Sequence, residues 1–267
     1  MRYLMALALL APSSAMAQDC QSYLGTSPAL TTIAAALASY EGVTPKDEFE
    51  TSAQYEARIA AATGGSAPLV IPKAIDEGQL TYNADRQAFQ IGRFFFDNVN
   101  MPIGDLWSYG GPYYEAGNYA SRRDNIDTVI EQKDVPTGSY TGSNAFGAST
   151  EVIQLDRVYW GIYDRPAPGR GGSAFAASYL VPSEGEHIGE LPMAPTEARQ
   201  FRADAKVAFV VVPQAPWRIN YRESYPSEAT VRNPLEVTTV MHVLFADIQC
   251  ALILDGSNTV LSAFETQ

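Results

Sequence analysis

The run EVTTVMHVLFADIQCALIL, residues 236–254, constrains this chain more than any other stretch of it. It is long, apolar and rich in β-branched residues, and Asp255-Gly256 follows it directly. β-branched side chains pack well on a pleated surface, and a D-G pair is a turn signal, so the run reads as a strand that reverses at its end. KVAFVVV at 206–212 reads as a buried strand. WRINYR at 217–222 places Trp217, Ile219 and Tyr221 on one face and Arg218, Asn220 and Arg222 on the other. The C-terminal third is therefore mostly sheet.

Further strands precede it. Residues 151–163 alternate Val152, Gln154, Asp156, Val158 and Trp160 against Glu151, Ile153, Leu155, Arg157 and Tyr159, a pattern that suits a strand with a bulge. QLTY and AFQIG, separated by the turn-rich NADRQ, read as a hairpin, and LVIPKAI at 69–75 is another β-prone run. Helical spacing is confined to the front. Ser27-Pro28 offers a cap and a first-turn proline, with Leu30, Ile33, Leu37 and Tyr40 following until Gly42. Thr51 and Gln54 form a capping-box pair, with Tyr55 and Ile59 behind them and Gly64-Gly65 as the stop. Residues 164–200 carry five prolines and five glycines with no sustained period, and read as a long irregular loop. The expected fold is α+β: two short N-terminal helices followed by an antiparallel β-sheet or sandwich. It is expected as a single domain over 18–267, with a helical front at 18–65 and mostly β structure over 66–267.

Residues 1–17 match a secretory signal peptide, with Arg2, an apolar run from Leu4 to Leu10 and the exit Ala15-Met16-Ala17. Cleavage near Ala17 leaves 17 basic against 30 acidic residues, a net charge near −13. That balance argues against nucleic acid or anionic lipid as a main partner. The longest later apolar run, Val207 to Val212, is far short of the roughly 20 residues a spanning helix needs, so no transmembrane segment is expected. The residues before Cys20 do not suit lipid attachment. Periplasmic or extracellular localisation follows, and in an oxidising compartment Cys20 and Cys250 read as one disulfide. Cys250 shares alternation with Ile248 and Leu252, so it is expected to face the core beside them.

PKDEFETSAQYEAR at 45–58 and YTGSNAFGASTEV at 140–152, with a β-rich tail ending in a D-G turn, resemble segments of a diffuse group of uncharacterised secreted bacterial proteins. The likeness covers about a tenth of the chain. It implies a secreted protein with helices before sheet, and it carries over no activity, cofactor or catalytic residue.

The chain contains no G-x-S-x-G elbow, phosphate loop, H-E-x-x-H or C-x-x-C. His187 and His242 are its only histidines. His242 alternates with Val240 and Leu244 and reads as a sheet residue, whereas His187 among Glu184, Glu186 and Glu190 is a weak ligand set on an acidic loop. No cofactor or metal is expected. APGRGGS at 167–173 reads as a flexible loop. GSYTGSNAFGASTEV at 138–152 reads as a bend in a sheet, with Gly138, Gly142 and Gly147 able to take positive φ and with Tyr140 and Phe146 packed on the sheet.

The candidate binding segment is LWSYGGPYYEAGNYASRR, 106–123, with Trp107, Tyr109, Tyr113, Tyr114 and Tyr119 and the basic pair Arg122-Arg123. Tyrosines among glycines give rigid amphipathic contact area, although the same rings would serve to cover an end of the sheet. The functional expectation is a secreted or periplasmic protein that binds a peptide, glycan or protein partner without catalysis. An acid-base hydrolase with unidentified carboxylates and a structural protein of the envelope are the alternatives.

Overall fold

A computed structural model describes residues 19–44, 46–63, 67–75, 80–92, 127–164, 187–223 and 229–265. The described elements begin with a 3-10 turn at Cys20–Tyr23, then α1 (Ile33–Ser39) and α2 (Ser52–Thr63). Strands β1 (Leu69–Ala74), β2 (Leu80–Asn83), β3 (Ala88–Gly92), β4 (Asp127–Ser143), β5 (Ser149–Asp164) and β6 (His187–Pro192) follow. A third helix, α3 (Pro195–Asp204), precedes β7 (Lys206–Glu223), β8 (Leu235–Leu254) and β9 (Val260–Glu265).

The expectation of a mixed helix-and-sheet fold rich in strand holds, but the sheet is not antiparallel throughout. The large sheet runs β1-β7-β8-β5-β4, with β9 also on β8, and β5 pairs with β8 in parallel from Ile153 opposite Leu235 to Asp164 opposite Ala246. Parallel neighbours need a long crossover, and among the described residues β6, α3 and β7 belong to it. Strand composition carries no direction, so the alternation at 151–163 did not announce it. A second sheet, β2-β3-β6, contains the expected hairpin, with Leu80 opposite Ile91 and Tyr82 opposite Phe89. Phe89, Ile91 and Leu191 from this small sheet join Phe209, Val211, Leu244 and Ile253 from the large one, with Ile33, Leu37, Ile59 and Phe201 from the helices, in one buried cluster.

Several local expectations are corrected. α1 starts at Ile33, where the Thr32 hydroxyl accepts the Ala35 N–H at 3.2 Å; Leu30, upstream of it, is bridged to Val70. The chain meets the sheet before it coils, so Ser27-Pro28 lies outside the helix. The Thr51–Gln54 capping box forms in both directions: the Gln54 N–H donates to the Thr51 hydroxyl at 3.2 Å and the Thr51 N–H donates to the Gln54 side-chain Oε1 at 2.9 Å. Gly64-Gly65 lies outside the described residues. Part of the segment expected to be irregular is ordered as β6 and α3. Proline spacing hid α3 from a reading by period, yet Pro195 serves as its first-turn residue and Ala198 and Phe201 are its buried face.

The bulge expected at 151–163 belongs to the neighbouring strand. β5 pairs with β8 without interruption, and the register breaks fall on β4 at Val129/Glu131 and Pro136/Gly138. A further break, where Val210 faces Cys250 but Val211 faces Ile248, leaves Gln249 without an opposite residue. One extra residue reverses side-chain alternation. Ile248 therefore joins the helix-side cluster, while Cys250 and Leu252 face the other side with Cys20, Val70, Ala208 and Val210. The disulfide forms as expected, Cα to Cα 5.8 Å, but in this second cluster and not beside Ile248.

Residues 138–152 are the end of a hairpin, not a bend. The Asn144 side-chain oxygen accepts the N–H groups of Phe146 and Ala148 at 3.0 Å each, and Gly147 takes φ of +82°. Phe146 stands at the tip, 96% exposed, and Tyr140 is 42% exposed; neither ring is buried on the sheet.

Candidate functional site

The residues read from sequence as the binding surface, Trp107, Tyr109, Tyr113, Tyr114, Tyr119 and Arg122, lie outside the described residues, as does the 167–173 loop. His187 begins β6 opposite Gly92. Among the described residues, no group of three or more His, Cys, Asp or Glu side chains is placed to hold a metal ion.

A different surface gathers chemistry. Strands β4, β5, β8 and β7 lie side by side, and directly opposed residues project to the same face, with neighbouring strands about 4.8 Å apart. On the helix-side face, Ile162, Leu244 and Arg218 form one row, and the first two are fully buried in the main cluster. The next row outward is Trp160, His242 and Asn220. Val158, Val240 and Arg222 form the third, Asp156 and Thr238 the fourth, Gln154 and Glu236 the fifth. The same face thus grades from apolar core to polar surface over a few residues.

Each row is held by its own contacts. The Trp160 and His242 rings stack at 5.6 Å with 27° between their planes, and His242 Nδ1 lies 2.8 Å from Asn220 Oδ1. Arg222 reaches across β8 to Asp156 with two bonds, 2.7 and 2.8 Å, a fork geometry that fixes both side chains. Glu236 accepts from Gln154 at 2.8 Å and from the Tyr140 hydroxyl at 2.8 Å, which together hold its carboxyl below the usual range. Glu236 in turn raises the Tyr140 phenol, so that hydroxyl remains a donor.

The inner boundary of the strip is α1. Arg218 donates to the carbonyl of Leu37 at 3.3 Å and lies 3.9 Å from the Glu41 carboxylate. Trp217 was expected on the opposite face with Ile219. Its backbone takes φ of +72° at the register break between Pro213 and Arg218, and its ring stacks on Tyr40 at 5.5 Å and 3°. The left-handed residue resets the alternation and turns the ring to the α1 side. Its indole N–H donates to the Tyr55 hydroxyl at 3.2 Å, tying α2 to the same corner.

Burial disfavours the imidazolium of His242, and the nearby Arg218 charge adds to that, so this histidine titrates below its ordinary value. The sign follows. The unfolded chain takes up the proton first on acidification, so this group leaves stability unchanged above the unfolded value and lowers it as pH falls below. An NMR titration should place the His242 midpoint below about 6.5, and Arg218→Gln should move it upward. A midpoint at or above the ordinary value would contradict this arrangement.

An open cleft of about 900 Å³ lies elsewhere, between α3 and the β8–β9 turn, with Glu197, Asp204, Lys206 and Asp255 in its wall. Its acidic groups are not free for chemistry as a set. One Asp255 carboxylate oxygen accepts the Ser257 and Thr259 N–H groups and the Ser257 hydroxyl at 2.7–2.9 Å, which builds the turn itself.

Sequence reasoning had placed Gln154, Asp156, Val158 and Trp160 on one face, and Arg218, Asn220 and Arg222 on another. Their convergence depends on strand order and register. Among the described residues no helix is long and apolar enough to cross a membrane. Comparison with known protein families, curated proteins and solved structures finds no match to this chain.

Proposed function

We propose that this chain is a secreted or periplasmic binding protein that recognises an extended peptide, a glycan or a protein partner along the Trp160–His242–Asn220 end of its large sheet. One observation carries the reading: aromatic, amide and charged side chains stand in register across β5, β8 and β7, partly or fully exposed, and are already fixed by cross-strand partners. Prefixed groups lose little conformational freedom when a partner binds, which is what favours recognition by a rigid surface. A face whose rows alternate apolar and polar groups suits an extended partner with the same alternation. Trp160 supplies apolar area, and Asn220, Gln154 and Arg222 supply directional hydrogen bonds.

The tyrosine-rich segment at 106–123 and the removal of residues 1–17 remain part of the same proposal. The test is binding to glycan and peptide arrays with the intact protein. Trp160→Ala and Asn220→Ala should each weaken capture of the same ligands by about tenfold, the effect expected for a central contact of 1–2 kcal/mol. Capture that survives both substitutions unchanged would move the site elsewhere.

A further inference from the structure

α3 presents Pro195, Ala198, Arg199 and Arg202 at helical spacing along one side, and these residues form a wall of a pocket of about 360 Å³. Tyr82 and Ala84 from the β2–β3 hairpin form the opposite wall, and Phe89 lies at its base. The volume falls within the range of small-molecule sites.

The walls are fixed. Phe89 is fully buried, meets Tyr82 edge-on at 5.1 Å and 64°, and meets Phe201 at 5.3 Å. The Tyr82 hydroxyl donates to the Met193 carbonyl at 2.7 Å, so the ring cannot swing into the space. Arg202 donates to the Leu80 carbonyl at 3.2 Å, and its guanidinium carbon lies 5.7 Å from the centre of the Phe89 ring.

The charges are the unusual part. The chain carries a net charge of −12, yet two guanidiniums adjoin this aromatic pocket and neither pairs with a carboxylate among the described residues. The nearby Glu190 is engaged by Arg86. Arg199 is exposed at the rim, where nothing on α3 satisfies it.

We propose that this pocket binds a small organic carboxylate, with its single-ring or short-chain body against Tyr82, Ala84 and Pro195 and its carboxylate on Arg199 and Arg202. Apolar walls from Tyr82, Ala84 and Pro195 with two guanidiniums beside them are complementary to that class. A neutral analogue loses the charge-assisted bonds, and a cationic one is repelled.

Ligand-detected NMR and calorimetry on the intact, disulfide-bonded protein would use benzoate and hexanoate against benzamide and benzylamine. The expected result is saturable binding of at least one carboxylate, with benzamide weaker by about tenfold or more and benzylamine not bound. Arg199→Gln, at an exposed position that leaves the fold intact, should weaken the carboxylate by about tenfold or more. Arg202→Gln should do the same, with circular dichroism checking that its packing role is not the cause. Equal binding of benzoate and benzamide, an affinity unchanged in Arg199→Gln, or no saturable carboxylate binding at millimolar concentration would overturn the proposal.

Discussion

Replacing Cys20 and Cys250 together by alanine is expected to lower the unfolding free energy by about 5 kcal/mol in the chain-entropy model, less any strain the bond carries in the folded state. The bond links residues 230 apart in sequence, most of the chain, so it removes an unusually large share of unfolded-state freedom. Both cysteines are almost fully buried, among Val70, Ala208, Val210, Leu252 and Val260, which adds packing loss on substitution. The N-terminal segment is also held to this side of the sheet by hydrogen bonds, among them Gln21 to the Ala263 carbonyl at 3.3 Å and Thr31 to the Val70 carbonyl at 2.8 Å. Gly25 donates to the Val260 carbonyl at 2.9 Å and Val260 donates to Thr26 at 2.9 Å, so β9 is expected to loosen with it. Denaturant titration of the double variant against the oxidised parent measures the loss. A loss under about 1 kcal/mol, well below the usual range for a native disulfide, would show that the cross-link contributes little here.

Phe209→Ala should cost about 3–5 kcal/mol, the second large effect. Phe209 is fully buried on β7, between β1 and β8, where the helices and both sheets meet. Removing a ring there leaves a cavity that neighbouring strands cannot close, since their positions are fixed by hydrogen bonding on both sides. Leu37→Ala, on the seven-residue α1, should cost less, about 2–3 kcal/mol, because a short helix can settle toward the gap. Phe146→Ala at the hairpin tip should change stability by no more than about 0.5 kcal/mol. Equal losses at Phe209 and Leu37 would place the stability in the helices as much as in the sheet.

The runs at 206–212, 217–222 and 236–254 were legible as strand from residue type alone, because long β-branched runs have few other solutions, though the first two form the single strand β7. The Thr51–Gln54 capping box was legible because each side chain satisfies the other residue's N–H within one turn. What escaped the sequence was non-local. The direction of β5 against β8, which brings Trp160 to His242, is decided by where the chain returns after β7 and not by the strands' own residues. The bulge at Gln249 was equally silent, yet it decides which core Cys250 enters. α3 was hidden because only Ala198 and Phe201 are buried on it, too few for a clear period amid charged neighbours. Exposure of Phe146 was misjudged because an aromatic in a glycine-rich stretch looks the same whether it packs or projects.

The proposed recognition surface on the outer rows of the large sheet is tested by NMR mapping of a ligand identified on the arrays. With the ¹⁵N-labelled, disulfide-bonded protein, the account predicts the largest shifts at the Trp160 indole N–H, the Asn220 and Gln154 side-chain amides and the backbone of 238–242, with α3 and the β8–β9 turn unmoved. Shifts centred away from those rows, with Trp160 and Asn220 unperturbed at saturation, would contradict it.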